Sequence, residues 1–514
     1  MSSANLEEAT GSSSIEPGST DERAAFAELQ ATLPDLFEKI GPDRTTPRTI
    51  VVLPSLSIDQ EVISRIAGVH HYEERMLCML MLLRLPRARV IYLTSQPISE
   101  TIIDYYLHLL QGIPAQHARA RLTMLACLDG SPAPLTEKIL FRPRLLGRLR
   151  EAIGDPTSAY IAAFAVSPLE RTFAVRLGIP VYGCDPALQA LGSKSGGRQL
   201  MRQAGVAIPD GVEDLADEAA ILAGLVTLKT RDPSLRRAVV KLNEGFSGEG
   251  NAVFAFDGAP AEGALDSWIS DRLPHLAFEA KGMTWDAFLA KAHEMGAIVE
   301  AFIEGDEKRS PSVQFRIDPS GYVESVSTHD QILQGQVFQG CRFPADDAYR
   351  LSIQAEAGKV AALLAQRGVL GRFSVDFVSV RSDDTWHNYG IELNLRKGGT
   401  THPFLMLQFL TGGAYDPVAG LFRTPAGQPR FYYASDNLEA PHYKGLTPSD
   451  LVDVAVLNGL HYDGTVHEGV VFHLIGALSE FGKLGVVCVG PSPERAEALY
   501  RRTVEILDRE QTPD

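Results

Sequence analysis

Asp376, Glu392 and Asn394 carry the oxygen atoms that a hard divalent cation prefers, and they stand in two largely apolar segments, "GRFSVDFVSV" (371–380) and "WHNYGIELNLRKGGTTHP" (386–403). If these form an antiparallel hairpin with Ser379 near Tyr389, Asp376 lies opposite Glu392. Glu392 and Asn394 are two apart, so both project from one face of a strand. Converging oxygens of this type suit Mg²⁺ shared with substrate phosphates, and an acidic pair among apolar neighbours is costly without a cation beside it. The same alternation fits two solvent-facing residues on the polar side of a hairpin, and the residues alone leave both readings open. Arg396 follows two positions on and is placed to bind a transferred phosphoryl group. The N–H groups of Gly398 and Gly399 are candidates for stabilising a tetrahedral oxyanion. His402 either touches a ligand or caps and packs. "FLMLQFL" (404–410) reads as a core helix.

A second constellation is "VVKLNEGFSGEGNAVFAF" (239–256). Lys241 lies inside a strand, and Gly245, Gly248 and Gly250 follow it. A strand comes next, so this is neither a P-loop nor a dinucleotide fingerprint, both of which run into a helix. It is either a glycine-tipped hairpin folding over phosphates or a plain surface turn. A third is "IVEAFIEGDE" (298–307). Such a stretch can act as a nucleotide hinge, with backbone groups meeting a base edge, Phe302 or Ile303 packing on the ring, and Glu307 accepting ribose hydroxyls. It equally fits a strand edge with a polar turn.

These residues need two kinds of scaffold. "TIVVLPSLS" (49–57) and "RVIYLTSQPIS" (89–99) are buried strands, with "AYIAAFAVS" (159–167) and "IPVYGCDP" (179–186) as further candidates. Helical stretches such as "YEERMLCMLMLLRL" (72–85) and "TIIDYYLHLLQG" (101–112) separate them. Alternation of this kind argues for a parallel, doubly wound sheet. A helix runs from the "LGSKSGG" stretch (191–197) to Gly205. Beyond it, strands at 238–243, 252–256, 297–303, 312–317, 321–327, 372–380 and 387–395 lie close together and imply antiparallel hairpins. The chain resets after residue 425. "GVVFHLIGALSEFGKLGVVCVG" (469–490) reads as a strand pair, and "SPERAEALYRRTVEIL" (492–507) as a helix opened by Ser and Pro. The fold class is therefore α/β followed by α+β.

The 514 residues suffice for several domains, and the net charge of −16 comes with no basic block, which excludes an ordinary nucleic-acid binder. Any anionic ligand must be held by a few placed cations. Five cysteines without CxxC spacing argue against a disulfide framework or zinc site and fit a reducing compartment. The first residues have no basic segment followed by an apolar run, and no stretch reaches transmembrane length. A cytoplasmic protein is expected, without nucleic-acid or membrane partners.

Taken in order, Lys194, Lys241 before a glycine loop, Glu300 with Glu307, and Asp376 with Glu392 and Asn394 resemble the ATP-grasp superfamily. The "E-x-N…G-x-T-x-H" ending of D-alanine–D-alanine ligases is matched by Glu392, Asn394, Gly398, Thr400 and His402. "SLSIDQEVISRIAGVHHYEER", "YLTSQPIS", "LTEKIL", "VVKLNEGFSGEGNA" and "GVVFHLIGALSEFGKLGVVCVG" are similar to the peptide ligases named for pheganomycin biosynthesis, across residues 46 to 510. Outside the resemblance, residues 1–45 are expected to form an acidic tail with a short helix, the first 20 residues disordered by composition. The resemblance implies a pre-ATP-grasp α/β domain (46–190), a two-subdomain ATP-grasp core (191–425) and a small C-terminal domain (426–514).

It further implies an ATP-dependent ligase of secondary metabolism that joins a carboxylate to an amine, an amino acid or a peptide, through an acyl phosphate. Lys194 and Lys241 would neutralise ATP phosphates, covered by Ser247, Gly248, Glu249 and Gly250. Glu300, Phe302, Ile303 and Glu307 would hold adenosine. Asp376, Glu392 and Asn394 would hold two Mg²⁺ ions, and Arg396 or Arg372 would stabilise the acyl phosphate. Arg316, His329, Arg342, Thr400 and His402 are candidate substrate contacts, and a homodimer is an allowed arrangement. Ser374 departs from the D-alanine ligases, which keep an arginine there. A nucleotide-binding regulator and a phosphotransferase are the alternatives. Within 327–346, Gln331, Gln334 and Gln336 could read polar groups of a substrate. Tyr72, Glu73, Glu74 and Arg75 either reach the cleft or form a solvated helix start.

Overall fold

In the computed structural model, residues 15–41, 43–57, 68–244, 250–260, 263–280, 282–335 and 337–510 are described. The glycine loop residues Ser247, Gly248 and Glu249, residues 1–14 of the tail, and Gln336 lie outside them.

The N-terminal sheet is parallel and has four strands. Arg48–Leu53 is flanked by Ala88–Thr94 and Ala159–Ala163, and Leu122–Ala126 pairs outside Ala88–Thr94. Period-two alternation divides the apolar residues between two cores. Ile50, Val52, Val90 and Tyr92 face one, whereas Val51, Leu53, Ile91 and Leu93 face the other. A strand buried on both faces reads as a continuous apolar run. The fourth expected strand, 179–186, contributes a single bridge, Ile161 to Val181. Leu122–Ala126, not foreseen, takes the outer place. The tail joins this domain from Thr20 onward, because the buried Glu22 carboxylate accepts hydrogen bonds from Arg171 and Thr172.

The segment Val69–Arg84 winds as a 3₁₀ helix, and its apolar side chains lie in the first of those cores. That core is shared. It takes in Leu405 and Met406 of the helix Thr401–Thr411, and Val470, Phe472 and Val486 of the C-terminal strands.

Two further sheets form the central cleft. One has five strands, ordered Gly211–Leu215, Ala297–Ala301, Arg237–Leu242, Asn251–Ala255 and Ala277–Phe278, and is antiparallel. The other has nine strands, with Pro311–Ile317 and Gly371–Ser382 paired toward one end of it. Val337–Phe343 pairs with Phe431–Glu439, which pairs with Lys483–Gly490. The last strands of the chain thus extend the sheet of the core across residue 425. Ser492 caps the helix Pro493–Arg509, as its Ser-Pro start requires.

Candidate active site

Asp376 pairs in register with Glu392. The ladder shifts between Asp376 and Phe377: Val378 faces Tyr389, Phe377 faces Gly390, and Ile391 is the extra residue of a bulge. The bulge turns Glu392 and Asn394 to the face of Asp376. Ser312 donates to Asp376 Oδ1 at 2.6 Å, and the Asn394 amide donates to its Oδ2 at 3.2 Å. Burial, then the charge of Glu392, push the Asp376 carboxyl up to about 7. Glu392 moves the opposite way. Burial would raise it, but the Lys194 ammonium, 2.6 Å from its Oε1, outweighs that and holds it low. One lysine serves one acid of the pair, so the shared proton rests on Asp376. A carboxylate raised by its neighbour's charge is what a divalent cation between them would reverse, and the oxygen-only donor set fits Mg²⁺.

Lys194 opens the helix Lys194–Gln203, capped by Ser193. A Cβ on Gly196 would fall 2.0 Å from the Ala190 carbonyl oxygen, and one on Gly197 would lie 3.3 Å from Leu393. Gly196 therefore lets the helix fold back against the turn before it, and Gly197 lets it lie close to the strand of Glu392. Lys241, buried in its strand, lies 2.5 Å from Glu300 Oε1, while Arg198 Nη1 lies 2.6 Å from Oε2 of the same glutamate. The Glu300 carboxylate thus anchors two cations. Phe302 is held between Arg237 and Lys308, 3.9 and 4.2 Å from its ring centroid.

Lys194, Lys241, Gly250, Glu300, Phe302 and Ile303 line one cavity of about 560 Å³ together with Asp376, Glu392, Asn394, Arg396, Gly398, Gly399 and Thr400. Thr400 is tied down by the Gln314 amide at 2.5 Å. The Gly398 N–H donates to Thr401 Oγ1 at 3.0 Å, so of the glycine pair Gly399 is the better oxyanion candidate.

Six expected contacts do not line this cavity. Arg372 shares the face of Asp376 but lies four residues up the strand, about 13 Å away, opposite Arg316. Arg316 is paired with Glu324. Arg342 leaves for the outer face, 3.3 Å from Glu497. His329 is fully buried, 2.6 Å from the Tyr432 hydroxyl, and burial lowers it to about 3. His402 is buried with Nδ1 2.8 Å from the Arg75 carbonyl, and burial depresses it strongly. Glu307 bonds Arg309 and Arg381. Gln331 does line the cavity, and Lys308 and Ser310 line it near Glu307's place.

Tyr72 and Arg75 line the cavity as well, joined from the C-terminal strands by Asp436, Asn437 and Lys483. Glu73 and Glu74 turn away, Glu73 to Ser95 and Glu74 to the Gly476 N–H.

The IQCH-like, ATP-grasp family model matches residues 186–257 and 266–417, and the PGM1 C-terminal domain model matches 450–503. The L-propargylglycine–L-glutamate ligase of Streptantibioticus cattleyicolor is 30% identical over 467 residues, 89% of this chain and 94% of that one. The chain belongs to the ATP-grasp peptide-ligase family. It is an ATP-dependent carboxylate–amine ligase.

IQ motif-containing protein H of Danio rerio is 22% identical over 515 residues, 90% of this ligase, which spans 48% of that longer protein. Among solved structures, the fold matches an N5-carboxyaminoimidazole ribonucleotide synthetase in its ADP complex at TM-score 0.51 and 13% identity, over 91% of the ligase and 98% of that chain. The biotin carboxylase domain of the Hydrogenobacter thermophilus 2-oxoglutarate carboxylase gives 0.53 at 12% identity, over 89% of each chain. Among the described residues no group of three or more His, Cys, Asp or Glu side chains is placed to hold a metal. No helix among them is long and apolar enough to cross a membrane.

Proposed function

We propose that this ligase joins the carboxylate of one amino acid to the amine of a second amino acid or a peptide, through an acyl phosphate made from MgATP. The relative's name, which pairs two amino acids, supports that substrate class. The observation that carries the reading is the Lys194–Glu392–Asp376 arrangement in one cavity with Lys241 and Arg396.

Lys194 and Lys241 neutralise the nucleotide's phosphates from opposite walls, with Gly250 at the mouth of the loop. Phe302 and Ile303 supply the apolar surface for the base, beside Lys308 and Ser310. Asp376, Glu392 and Asn394 would hold Mg²⁺, two ions on the family pattern, which would supply positive charge against the charge developing on the phosphates. Arg396 faces the transferred phosphoryl group and positions the acceptor oxygen of the carboxylate. An amine then attacks the acyl carbon, the C–O bond to phosphate breaks, and the amine's lost proton leaves with solvent. Positioning and charge account for such a transfer, with no covalent step on the protein. The five free, buried cysteines accord with a cytoplasmic setting.

The test is hydroxylamine trapping. With MgATP and a carboxylic amino acid but no amine substrate, hydroxylamine should intercept the acyl phosphate as a hydroxamate with one ADP released for each. ADP release without hydroxamate would contradict the acyl-phosphate route and favour a phosphotransferase.

A further inference from the structure

Tyr72 and Arg75 from one segment and Asp436, Asn437 and Lys483 from the C-terminal strands build one part of the cavity lining, with two cations in it. Arg75, only 11% exposed, lies with Nη2 2.8 Å from Asp436 Oδ2 and its guanidinium 4.2 Å from the Tyr72 ring centroid. Lys483, 13% exposed, donates to the Tyr72 hydroxyl at 3.0 Å. Its nearest acid, Glu439, is 4.0 Å away and half exposed. The Nε of Arg75 is buried and has no hydrogen-bond partner among the described residues.

A buried layer fixes this set. His402 donates from Nδ1 to the Arg75 carbonyl. His473 lies 2.8 Å from Asp436 Oδ1 and 4.2 Å, ring to ring, from His402. Asp436 is buried, which would raise it, yet the Arg75 charge and the His473 hydrogen bond hold it well below the usual carboxylate range. Asp436 is thus a permanent anchor for Arg75. The segment of Arg75 is clamped to the C-terminal strands by Glu74, whose two oxygens accept from the Gly476 N–H at 3.1 Å each. The Arg75 charge reaches Arg396, whose own guanidinium it helps to depress after burial.

Two cations against one committed acid, in a chain of net charge −16, need an anion. The nucleotide's phosphates face Lys194 and Lys241, and the carboxylate that becomes the acyl phosphate faces Arg396. Resting on the ligase reading above, we infer that Arg75 and Lys483 hold a carboxylate carried by the amine substrate, so that the acceptor is an α-amino acid or a peptide with a free C-terminus. The Tyr72 ring forms one wall. Leu333, Val337 and Phe338 form the apolar surface beside it. In this arrangement the acceptor's carboxylate sits at the domain junction and its amine points toward Arg396. The pre-ATP-grasp and C-terminal domains are then jointly the acceptor-recognition unit.

The experiment compares acceptors that differ only in that carboxylate. Amino acids and dipeptides are offered as free acids and as C-terminal carboxamides, with kcat/KM measured at saturating donor and referred to hydroxamate formation by the same preparation. The free acid should exceed its carboxamide by about 10- to 100-fold, the factor one charge-assisted hydrogen bond carries. In Lys483→Met and Arg75→Gln the free acid should fall by a similar factor relative to hydroxamate formation, mostly in KM, while the carboxamide changes little. Lys483→Arg should restore most of the preference. Equal use of acid and carboxamide by the wild type would overturn the inference. So would variants in which acceptor use and hydroxamate formation fall together, or hydroxamate formation with no acid or carboxamide accepted. A wild type that makes no hydroxamate would instead strike at the ligation chemistry.

Discussion

The Lys194 ammonium sits 2.6 Å from Glu392, while Asp376, directly across the ladder from Glu392, has no lysine of its own and keeps the proton. This asymmetry makes the acid pair sensitive to what binds between and beside its members.

Removing Lys194 should leave Glu392 buried beside Asp376 with its nearest cation gone. Lys194→Met is expected to lower kcat/KM by about 10²–10³, the range typical of losing one placed charge in a polar site. Steady-state ADP release with near-native circular dichroism would check this.

Asp376 gives the nucleotide affinity a pH dependence. Its proton must leave before both acids can accept a cation, so MgATP should bind more tightly as pH rises toward 7 and level off above. Without ligand the sign for stability is opposite. The folded pKa lies above the ordinary 3.8, so the native protein holds the proton that the unfolded chain has lost, and this residue's contribution falls as pH rises from 3.8 to about 7. Glu392, held low, opposes it only at acid pH: its contribution is present above 4.5 and is lost as pH falls through its depressed folded value. Calorimetric titration of MgATP between pH 5.5 and 8.5 should show the rise, and Asp376→Asn should flatten it.

Glu300 binds both Lys241 and Arg198 while itself 2% exposed. Glu300→Gln leaves two buried cations short of an anion and should destabilise the fold by roughly 3 kcal/mol. It should also weaken nucleotide binding, because Lys241 loses the contact that aims it. Denaturant unfolding and thermal shift with MgATP report the two effects separately.

Gly196→Ala places a Cβ 2.0 Å from a backbone oxygen. The helix of Lys194 must move, so a change of one methyl should cost about 1–3 kcal/mol and reduce turnover more than an alanine at a solvent-facing position of that helix. A crystal structure of the variant would show Lys194 displaced from Glu392.

Much of this site was legible in the chain. The hairpin of 371–394 follows from alternation and closeness of its two segments, although a register one residue off at its turn was rescued by the bulge at Ile391. Lys241 within a strand and the apolar Phe302 in the stretch 298–307 were local signals, whereas Lys194 stood out only through the order of the family motifs. The histidines misled because a histidine in an apolar run looks the same whether it lines a cleft or packs beneath one. His329 packs against Phe343 and Tyr432, and His402 lies behind Arg75. Arg372 has the right face but the wrong depth, since the period of two fixes direction and not distance. Of the acceptor half only Tyr72 and Arg75 were open candidates in the sequence, and Asp436 and Lys483 had no local signature. Arg75 and Asp436 are 361 positions apart by subtraction of their numbers, and only the shared core beneath them brings them together.

The most direct test of the central claim is the stoichiometry of ADP and phosphate release with MgATP, amino acids and short peptides added singly and in pairs. Ligation predicts release that requires both a carboxylate and an amine, one ADP per product, and a product mass equal to the sum of the two less water. Release with ATP and a single substrate at the full rate, leaving a phosphorylated product and no amide, would contradict it.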